Sequence, residues 1–226
     1  MRGEIAARAV ACGRPWDAVR LVTVTKGHPA EKMAAAIAAG AADVGENYVQ
    51  EARAKRDEIG GEEARWHLIG PLQRNKAAVA GDLFDVVHTI DRAETAEALA
   101  RRLPTDRASI DVLLQVNVAR DPAKAGVLPE AVSELLQRTR ALERVRVTGL
   151  MTIGRAGATS VDVASTFAEL RDLRDGLRAS GHEAVAELSM GMSGDYDAAI
   201  EQGATLVRLG TAILGPRPPR QEAERA

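Results

Sequence analysis

The segment VLLQVNV, residues 112–118, is an almost continuous apolar run, and LVTVT at residues 21–25 has a similar character. A strand with one face in water alternates apolar and polar residues, whereas a strand of a parallel sheet is covered on both faces and is apolar nearly throughout. Both segments therefore predict strands of a buried, parallel sheet.

Comparable β-rich runs alternate with amphipathic helical runs along the whole chain. Predicted strands occupy 21–25, 42–45, 65–69, 86–90, 110–118, 145–153, 186–190 and 205–214, and predicted helices occupy 3–12, 29–39, 47–58, 71–80, 92–102, 128–141, 160–179 and 194–202. Eight strands alternating with helices predict an α/β fold, a single (β/α)₈ TIM barrel preceded by an extra N-terminal helix. The competing topology is an open, doubly wound sheet.

The domain organisation is expected to be simple. No linker rich in glycine, proline or serine interrupts the chain, which favours one domain over residues 1–226, with a frayed polar tail at 216–226. Some helix ends carry local signals: Asp91 and Ser193 are suited to cap helix starts, and Gly81 to follow a helix end.

Composition argues against several classes of partner. The 30 basic and 32 acidic residues give a net charge of −2, so no basic excess indicates nucleic acid or an anionic membrane. Aromatic residues make up only 3% of the chain, which predicts an aliphatic core and few platforms for stacking bases. The longest uncharged stretch, 33–42, is half of the roughly 20 residues that a membrane-spanning helix needs.

Cysteine content and the N-terminal sequence bear on the compartment. Cys12 is the only cysteine, which rules out an internal disulfide and argues against a thiolate zinc site. The segment MRGEIAARAVACGRP, residues 1–15, lacks the apolar core of a secretory signal. We therefore expect a cytoplasmic protein.

Common catalytic signatures are missing from the sequence. It contains neither GxGxxG nor GxxxxGK[ST], and GMSGD at 191–195 departs from the hydrolase elbow G-x-S-x-G at its last position. The four histidines, at positions 28, 67, 88 and 182, lack metal-ligand spacing, and those at 67 and 88 fall in predicted strands. A lone strand histidine is more often a hydrogen-bonded structural residue, so no metal site is expected.

Lys26 is the leading candidate for chemistry. It closes the first strand, LVTVTK, and in a TIM barrel the carboxyl ends of the strands form the active-site face. Apolar surroundings there would lower the pKa of its ammonium and free the amine to attack a carbonyl. The alternative is a lysine that extends from a strand end into water. Lys32 and Lys55 fall in helical runs and are expected to be solvated, and neither Lys76 nor Lys124 ends a strand.

A second cluster lies in the last two βα units. LSMGMSGD, residues 188–195, ends a strand in a glycine-rich turn, and RLGTAILG, residues 208–215, places Arg208 in a strand before Gly210 and Thr211. TIM barrels often bind phosphate with the loops after strands seven and eight. The structural alternative for GMSGD is a capped helix start with Ser193 as the cap.

An aldehyde-reactive lysine together with a phosphate cradle fits pyridoxal 5′-phosphate. That cofactor needs a lysine for its Schiff base, an anion site for its phosphate and a partner for its ring nitrogen. An arginine against the ring nitrogen keeps that nitrogen unprotonated, because two adjacent positive charges repel. An unprotonated ring is a weaker electron sink, so this arrangement predicts limited carbanion chemistry.

From the first strand to about residue 215 the sequence resembles the YggS/PROSC-type pyridoxal phosphate homeostasis proteins. The resemblance is carried by VTVTKGHP (22–29), DVGENYVQEA (43–52), WHLIGPLQRNK (66–76), VVHTID (86–91), LLQVNV (113–118), GLMTIG (149–154) and LSMGMSGDYDAAIEQGATLVRLGTAILG (188–215). It implies a barrel like the N-terminal domain of alanine racemase and a Schiff base on Lys26.

The resemblance also implies roles for the remaining site residues. Ser193, Gly210 and Thr211 would hold the phosphate, Arg208 would face the ring nitrogen, and Asn47 would approach the ring. Met192, within the same glycine-rich turn, completes the expected cofactor-binding set, and no catalytic residue is assigned.

Two functions follow from this fold and site. The favoured one is a protein that holds pyridoxal phosphate and delivers it inside the cell, to apo forms of pyridoxal phosphate enzymes, without substantial catalysis of its own. The alternative is an amino-acid racemase, which needs a second acid/base, usually a tyrosine from an added domain. Tyr48 and Tyr196 are the only tyrosines, and neither has that context. A monomer is expected.

Overall fold

The computed structural model describes residues 1–60, 63–154 and 159–217. Eight parallel strands close into a barrel in chain order, and β8 completes it by pairing with β1. The strands are β1 (Arg20–Val24), β2 (Asp43–Glu46), β3 (Arg65–Leu68), β4 (Val86–Ile90), β5 (Ile110–Gln115), β6 (Val145–Met151), β7 (Glu187–Ser189) and β8 (Leu206–Leu209). This closure confirms the predicted (β/α)₈ barrel, and the open sheet is wrong.

Helices cover the outside of the barrel. They are α1 (Arg2–Ala11), α2 (Ala30–Ala38), α3 (Val49–Ile59), α4 (Ala77–Leu83), α5 (Ala93–Arg102), α6 (Val132–Arg140), α7 (Ser160–Ala179), α8 (Tyr196–Glu201) and α9 (Thr211–Leu214), with 3₁₀ turns at Arg74–Lys76 and Pro129–Ala131. The predicted N-terminal helix is α1, within one residue of its expected bounds. None of the helices in the described ranges has both the length and the apolar character needed to cross a bilayer.

Several local predictions at element ends are wrong. The strand expected over 205–214 stops at Leu209, and the residues after Gly210 form α9, because the chain turns out of the barrel there. Asp91 does not cap α5: its carboxylate pairs with Arg92, which is itself the N-cap residue. Gly81 lies inside α4 rather than beyond its end.

The core has two parts. The larger part lies between the sheet and the helices and is mostly aliphatic, as the composition predicts, although Trp66, Phe84 and Phe167 are also fully buried in it. The smaller part fills the barrel interior with side chains from five strands: Val22, Val86, Leu113, Met151 and Leu206. The apolar strand β5 serves both parts, which explains why every residue of it is buried.

The parallel arrangement brings all eight carboxyl ends to one rim. Lys26 comes two residues after β1, Asn47 directly after β2, and the Met192–Asp195 turn follows β7. Residues far apart in the chain therefore meet at this rim, as the barrel geometry requires. Beyond residue 217 the predicted frayed tail lies outside the described residues.

Candidate functional site

A cavity of about 280 Å³ opens at the carboxyl-end rim of the barrel. Its lining includes every residue predicted for the site: Lys26, Asn47, Met192, Ser193, Arg208, Gly210 and Thr211. A larger cavity, of about 460 Å³, lies between α1, β1 and α2, and its walls are mainly apolar. Of these two cavities, the rim cavity is the one that combines an amine, a buried guanidinium and glycine-rich turns, so it is the candidate site.

Lys26 is half-buried at the wall of this cavity. Burial lowers the pKa of its ammonium, the Arg217 and Arg208 cations lower it further, and Glu46 and Glu51 act in the opposite direction. The net effect is a lowered pKa, as predicted from the position of Lys26 at a strand end. More of the amine is therefore neutral and nucleophilic near neutral pH than in an ordinary lysine.

Behind Lys26 lies a buried ion pair that the sequence analysis missed. Lys55, in α3, donates to Glu46 Oε1 at 2.6 Å, to Glu51 Oε1 at 2.8 Å and to the Thr25 carbonyl at 2.8 Å. The prediction of a solvated Lys55 is wrong, because its side chain folds back from α3 over the ends of β1 and β2. Desolvation raises the pKa of Glu46, although Lys55 and the Thr25 hydroxyl oppose that rise.

Asn47 enters the site through a close approach of two backbone segments. A Cβ on Gly70 would lie 2.2 Å from the Asn47 carbonyl oxygen, so only glycine lets the two segments meet. The side-chain oxygen of Asn47 is buried and has no hydrogen-bond partner in the described structure. Such an acceptor is costly to leave unpaired, and it lines the cavity, where a bound donor could satisfy it.

The turns after β7 and β8 form one surface. Ser193 Oγ accepts a hydrogen bond from the Ala212 N–H at 3.3 Å, which joins the Met192–Asp195 turn to the start of α9. The prediction that Ser193 caps the next helix is wrong: α8 begins at Tyr196 after Asp195, whose carboxylate accepts from the Met192 N–H at 2.6 Å. Ser193 is thereby directed to the second turn.

Gly210 lies at the base of this surface. A Cβ there would stand 3.1 Å from the Val24 carbonyl oxygen of β1, so glycine keeps the floor of the cavity open. Backbone N–H groups at the start of a helix have no partner within that helix and suit an anion. The serine hydroxyl, the glycine floor and the Thr211 N–H at the start of α9 form a cradle of the kind that binds phosphate, whereas the Ala212 N–H donates to Ser193 Oγ.

Arg208, from β8, is buried and extends past β7 toward the end of β6. It donates to Ser189 Oγ at 2.6 Å and to the Thr152 carbonyl at 2.9 Å. Burial lowers the pKa of its guanidinium to about 10, so it remains charged at neutral pH. Two of its five N–H groups account for these bonds, and the side chain also lines the cavity.

The cavity includes residues that the sequence analysis did not select. Val24, Ile69 and Ile153 supply aliphatic walls, and the buried His28 and the exposed Arg217 complete the rim. The position of His28, two residues after Lys26, could have indicated it. Arg217 carried no such signal, because only the tertiary fold brings the segment after α9 back to β1.

The other candidate lysines and the tyrosines are placed elsewhere. Lys124 donates to the Gly154 carbonyl at 2.6 Å, and Lys76 ends a 3₁₀ turn before α4. Tyr48 is exposed, and Tyr196 packs against the main core at the start of α8. None of these four side chains lines the described part of the rim cavity. Across residues 1–60, 63–154 and 159–217, no three histidine, cysteine or acidic side chains cluster as metal ligands would.

Known proteins are similar to this chain in both sequence and fold. A relative in Pseudomonas aeruginosa, named pyridoxal phosphate homeostasis protein, is 40% identical over 95% of this chain and 93% of its own. A protein of the same name in Escherichia coli K12 is 38% identical over 96% and 94%. The structure of PipY from Synechococcus elongatus with pyridoxal phosphate bound has a TM-score of 0.80 and 36% identity, covering 92% of this chain and 98% of that one.

The family description "Alanine racemase, N-terminal domain" matches residues 10–218, from α1 to just beyond the last described residue. That span contains every strand of the barrel and all seven predicted site residues. The resemblance drawn from the sequence motifs is confirmed: the chain belongs to the alanine racemase N-terminal domain family and, within it, to the group of pyridoxal phosphate homeostasis proteins.

Proposed function

We propose that this protein binds pyridoxal 5′-phosphate at the carboxyl-end rim of its barrel, as a Schiff base on Lys26, and serves intracellular homeostasis and delivery of the cofactor. The observation that carries the proposal is the meeting of Lys26, with its lowered pKa, and the Ser193–Gly210 cradle in one cavity of about 280 Å³. The names of the relatives and the bound cofactor in the Synechococcus protein support it.

The donor set matches the chemical groups of the cofactor. Lys26 would join its aldehyde carbon, with loss of one water, while Ser193 and the Thr211 N–H at the start of α9 would hold the phosphate. Asn47 has a buried oxygen without a partner that faces the same cavity. Aliphatic walls offer little to stack on, so binding would depend on the covalent bond and the phosphate cradle.

Arg208 favours holding the cofactor over transforming amino acids. When bound, pyridoxal phosphate acts as an electron sink in proportion to the positive charge on its ring nitrogen. Arg208 is buried and charged at neutral pH, so a proton on a ring nitrogen beside it would be repelled. We therefore propose that the protein has no substantial catalytic activity of its own.

Reduction with borohydride after incubation with pyridoxal phosphate, followed by peptide mass mapping, tests the proposal. We expect one adduct, on Lys26, and a Schiff-base absorption band that Lys26→Ala abolishes. Lys76→Ala and Lys124→Ala are the matched controls and should keep the band. An adduct on either control lysine, or no band in the wild-type protein, would overturn the assignment.

Delivery is the second part of the proposal. We infer transfer from a cytoplasmic monomer to apo forms of pyridoxal phosphate enzymes, a role suited to a reducing compartment in view of the single cysteine. Loaded protein mixed with an apo-aminotransferase should restore its activity faster than the same concentration of cofactor released into buffer. Turnover of D- or L-alanine that depends on Lys26 would instead favour the racemase alternative.

A further inference from the structure

A continuous chain of buried side chains crosses the barrel interior from Arg208 to Asp43. Arg208 Nη1 lies 2.6 Å from Ser189 Oγ, which lies 2.8 Å from His88 Nδ1. His88 Nε2 lies 2.8 Å from His67 Nδ1, and His67 Nε2 lies 2.8 Å from Asp43 Oδ1. The link from β4 to β7 joins strands that are not neighbours, so the chain runs through the lumen itself.

The groups at the two ends of this series of side chains, Arg208 and Asp43, determine which atom donates in each hydrogen bond. A guanidinium only donates hydrogen bonds, so Ser189 Oγ accepts from Arg208. An ionised carboxylate only accepts, so His67 Nε2 donates to Asp43. Desolvation alone would raise the pKa of Asp43, but the His67 hydrogen bond and the nearby Arg20 and Arg65 charges lower it, which keeps this carboxylate ionised.

The intermediate groups then have a single consistent arrangement. With its proton on Nε2, a neutral His67 accepts at Nδ1 from His88 Nε2–H. A neutral His88 with its proton on Nε2 accepts at Nδ1 from the Ser189 hydroxyl. Desolvation lowers the pKa of both imidazoles, which keeps them neutral. Every donor along the chain therefore points from Arg208 toward Asp43.

The charge of Arg208 has no directly paired carboxylate. No carboxylate of the described residues lies within 4 Å of its guanidinium, although the side chain is buried, and the Asp195 carboxylate favours the cation only from a longer distance. A buried charge is costly unless it is paired, and a chain of aligned hydrogen-bond dipoles ending in a carboxylate stabilises the cation at a distance.

Packing alone does not call for a polar chain here. Val86, Leu113 and Met151 fill the neighbouring part of the barrel interior with apolar side chains. Apolar residues of similar volume often replace a buried ionic network without loss of stability. The chain is therefore better explained by what it does to Arg208 than by the stability of the barrel.

We propose that Ser189, His88, His67 and Asp43 are positioning residues that hold Arg208 in one orientation and keep it charged against the ring of the bound cofactor. This inference rests on the proposed function for its ligand, pyridoxal phosphate, but not for the arrangement of the chain itself. The chain thereby sets the electronic state of the cofactor from inside the barrel, without touching it.

The first test uses the ligand-free protein. In ¹⁵N NMR spectra at neutral pH, His67 and His88 should both show a protonated Nε2 and an unprotonated Nδ1. Ser189→Ala should alter the His88 ring signals and speed the exchange of the Arg208 side-chain protons. A protonated Nδ1 on either histidine in the wild-type protein would overturn the proposal, whether or not the protein binds the cofactor.

The second test asks whether retention of the cofactor depends on the direction of these hydrogen bonds or only on how the side chains pack. In His67→Gln, the side-chain amide can accept from His88 and donate to Asp43, so the direction is preserved, whereas His67→Leu breaks the chain. We expect Ser189→Ala and His67→Leu to weaken retention of pyridoxal phosphate about tenfold, as for loss of a hydrogen bond to a charged group. Both should shift the Schiff-base absorption band, and His67→Gln should resemble the wild type.

A control variant and the binding data keep the outcomes distinct. Thr139→Val removes another buried hydroxyl, in α6 and remote from the barrel lumen, and should change neither retention nor the band. Equal losses in His67→Gln and His67→Leu, or wild-type behaviour of Ser189→Ala, would overturn the positioning role. If the wild-type protein takes up no cofactor, the proposed function fails. The NMR measurements would still test the direction of the hydrogen bonds from Arg208 to Asp43.

Discussion

Lys55 Nζ lies 2.6 Å from Glu46 Oε1, and both side chains are buried at the rim of the barrel. The same ammonium donates to the carbonyl of Thr25, the residue before Lys26, while Glu46 is the residue before Asn47. One ion pair therefore joins the two strand ends that carry the candidate nucleophile and the unpaired amide. Its loss should affect both stability and the shape of the site.

Lys55→Met should lower the free energy of unfolding by about 3–5 kcal/mol, because it leaves Glu46 buried without its cation. Urea denaturation checks this value. The double variant Lys55→Met/Glu46→Gln should recover much of the loss. Lys32→Met, which removes an exposed lysine from α2, is the control and should cost less than about 1 kcal/mol. A small effect of Lys55→Met would contradict a buried, compensated pair.

Asn47→Leu should separate stability from binding. The Asn47 oxygen is buried without a partner, so its removal should leave the free energy of unfolding unchanged or raise it by about 1 kcal/mol. Retention of pyridoxal phosphate, measured by equilibrium dialysis, should fall. Thr139→Val should have a similar effect on the free energy of unfolding but should leave retention of pyridoxal phosphate unchanged. A stable Asn47→Leu protein with full retention would show that this amide does not contact the cofactor.

Gly210→Ala should weaken the phosphate cradle. The new methyl group would stand 3.1 Å from the Val24 carbonyl oxygen, so the floor of the cavity must shift. We expect about a tenfold loss of affinity for pyridoxal phosphate, with a smaller loss for pyridoxal, which lacks the phosphate. Gly176→Ala, within α7 and with no heavy atom within 4 Å of the new methyl group, is the matched control. Equal losses for both ligands would argue against a phosphate site there.

Arg217→Gln should make Lys26 less reactive at neutral pH. The Arg217 cation is the second largest cause, after burial, of the lowered pKa of Lys26. Its removal should raise that pKa, so the pH profile of Schiff-base formation should move to higher pH. The rate of appearance of the absorption band, measured against pH, gives the shift. Arg101→Gln, exposed on α5, should leave the profile in place.

Stability should fall in acid because of the buried histidines. Burial lowers the pKa of His88 well below its ordinary value, so the unfolded chain takes up a proton as pH falls below about 6.5 while the folded protein does not. The free energy of unfolding should then fall by up to about 1.4 kcal/mol per pH unit for each such histidine.

Urea denaturation at a series of pH values measures this slope. His88→Gln should reduce the slope by the contribution of one histidine. An unchanged slope in His88→Gln would mean that this imidazole takes up its proton in the folded protein.

The sequence by itself determined the barrel, because local residue patterns predict both the burial of the strands and their alternation with helices. It also indicated Lys26 and the turns containing Ser193 and Gly210, since each follows a strand and a parallel barrel brings strand ends to one rim. Element ends were less predictable: local cap signals at Asp91 and Ser193 were overridden by contacts with Arg92 and Ala212.

Only the tertiary structure decided which polar side chains are buried together. The sequence pattern predicts that Lys55 lies on the surface of a polar helix. Its burial follows from how α3 packs over β1 and β2. His67, His88 and Ser189 are separated by up to 122 positions, and no local pattern shows that their side chains meet in the lumen. The physical reason is that burial and hydrogen bonding depend on distances in space, which the order of residues along the chain does not contain.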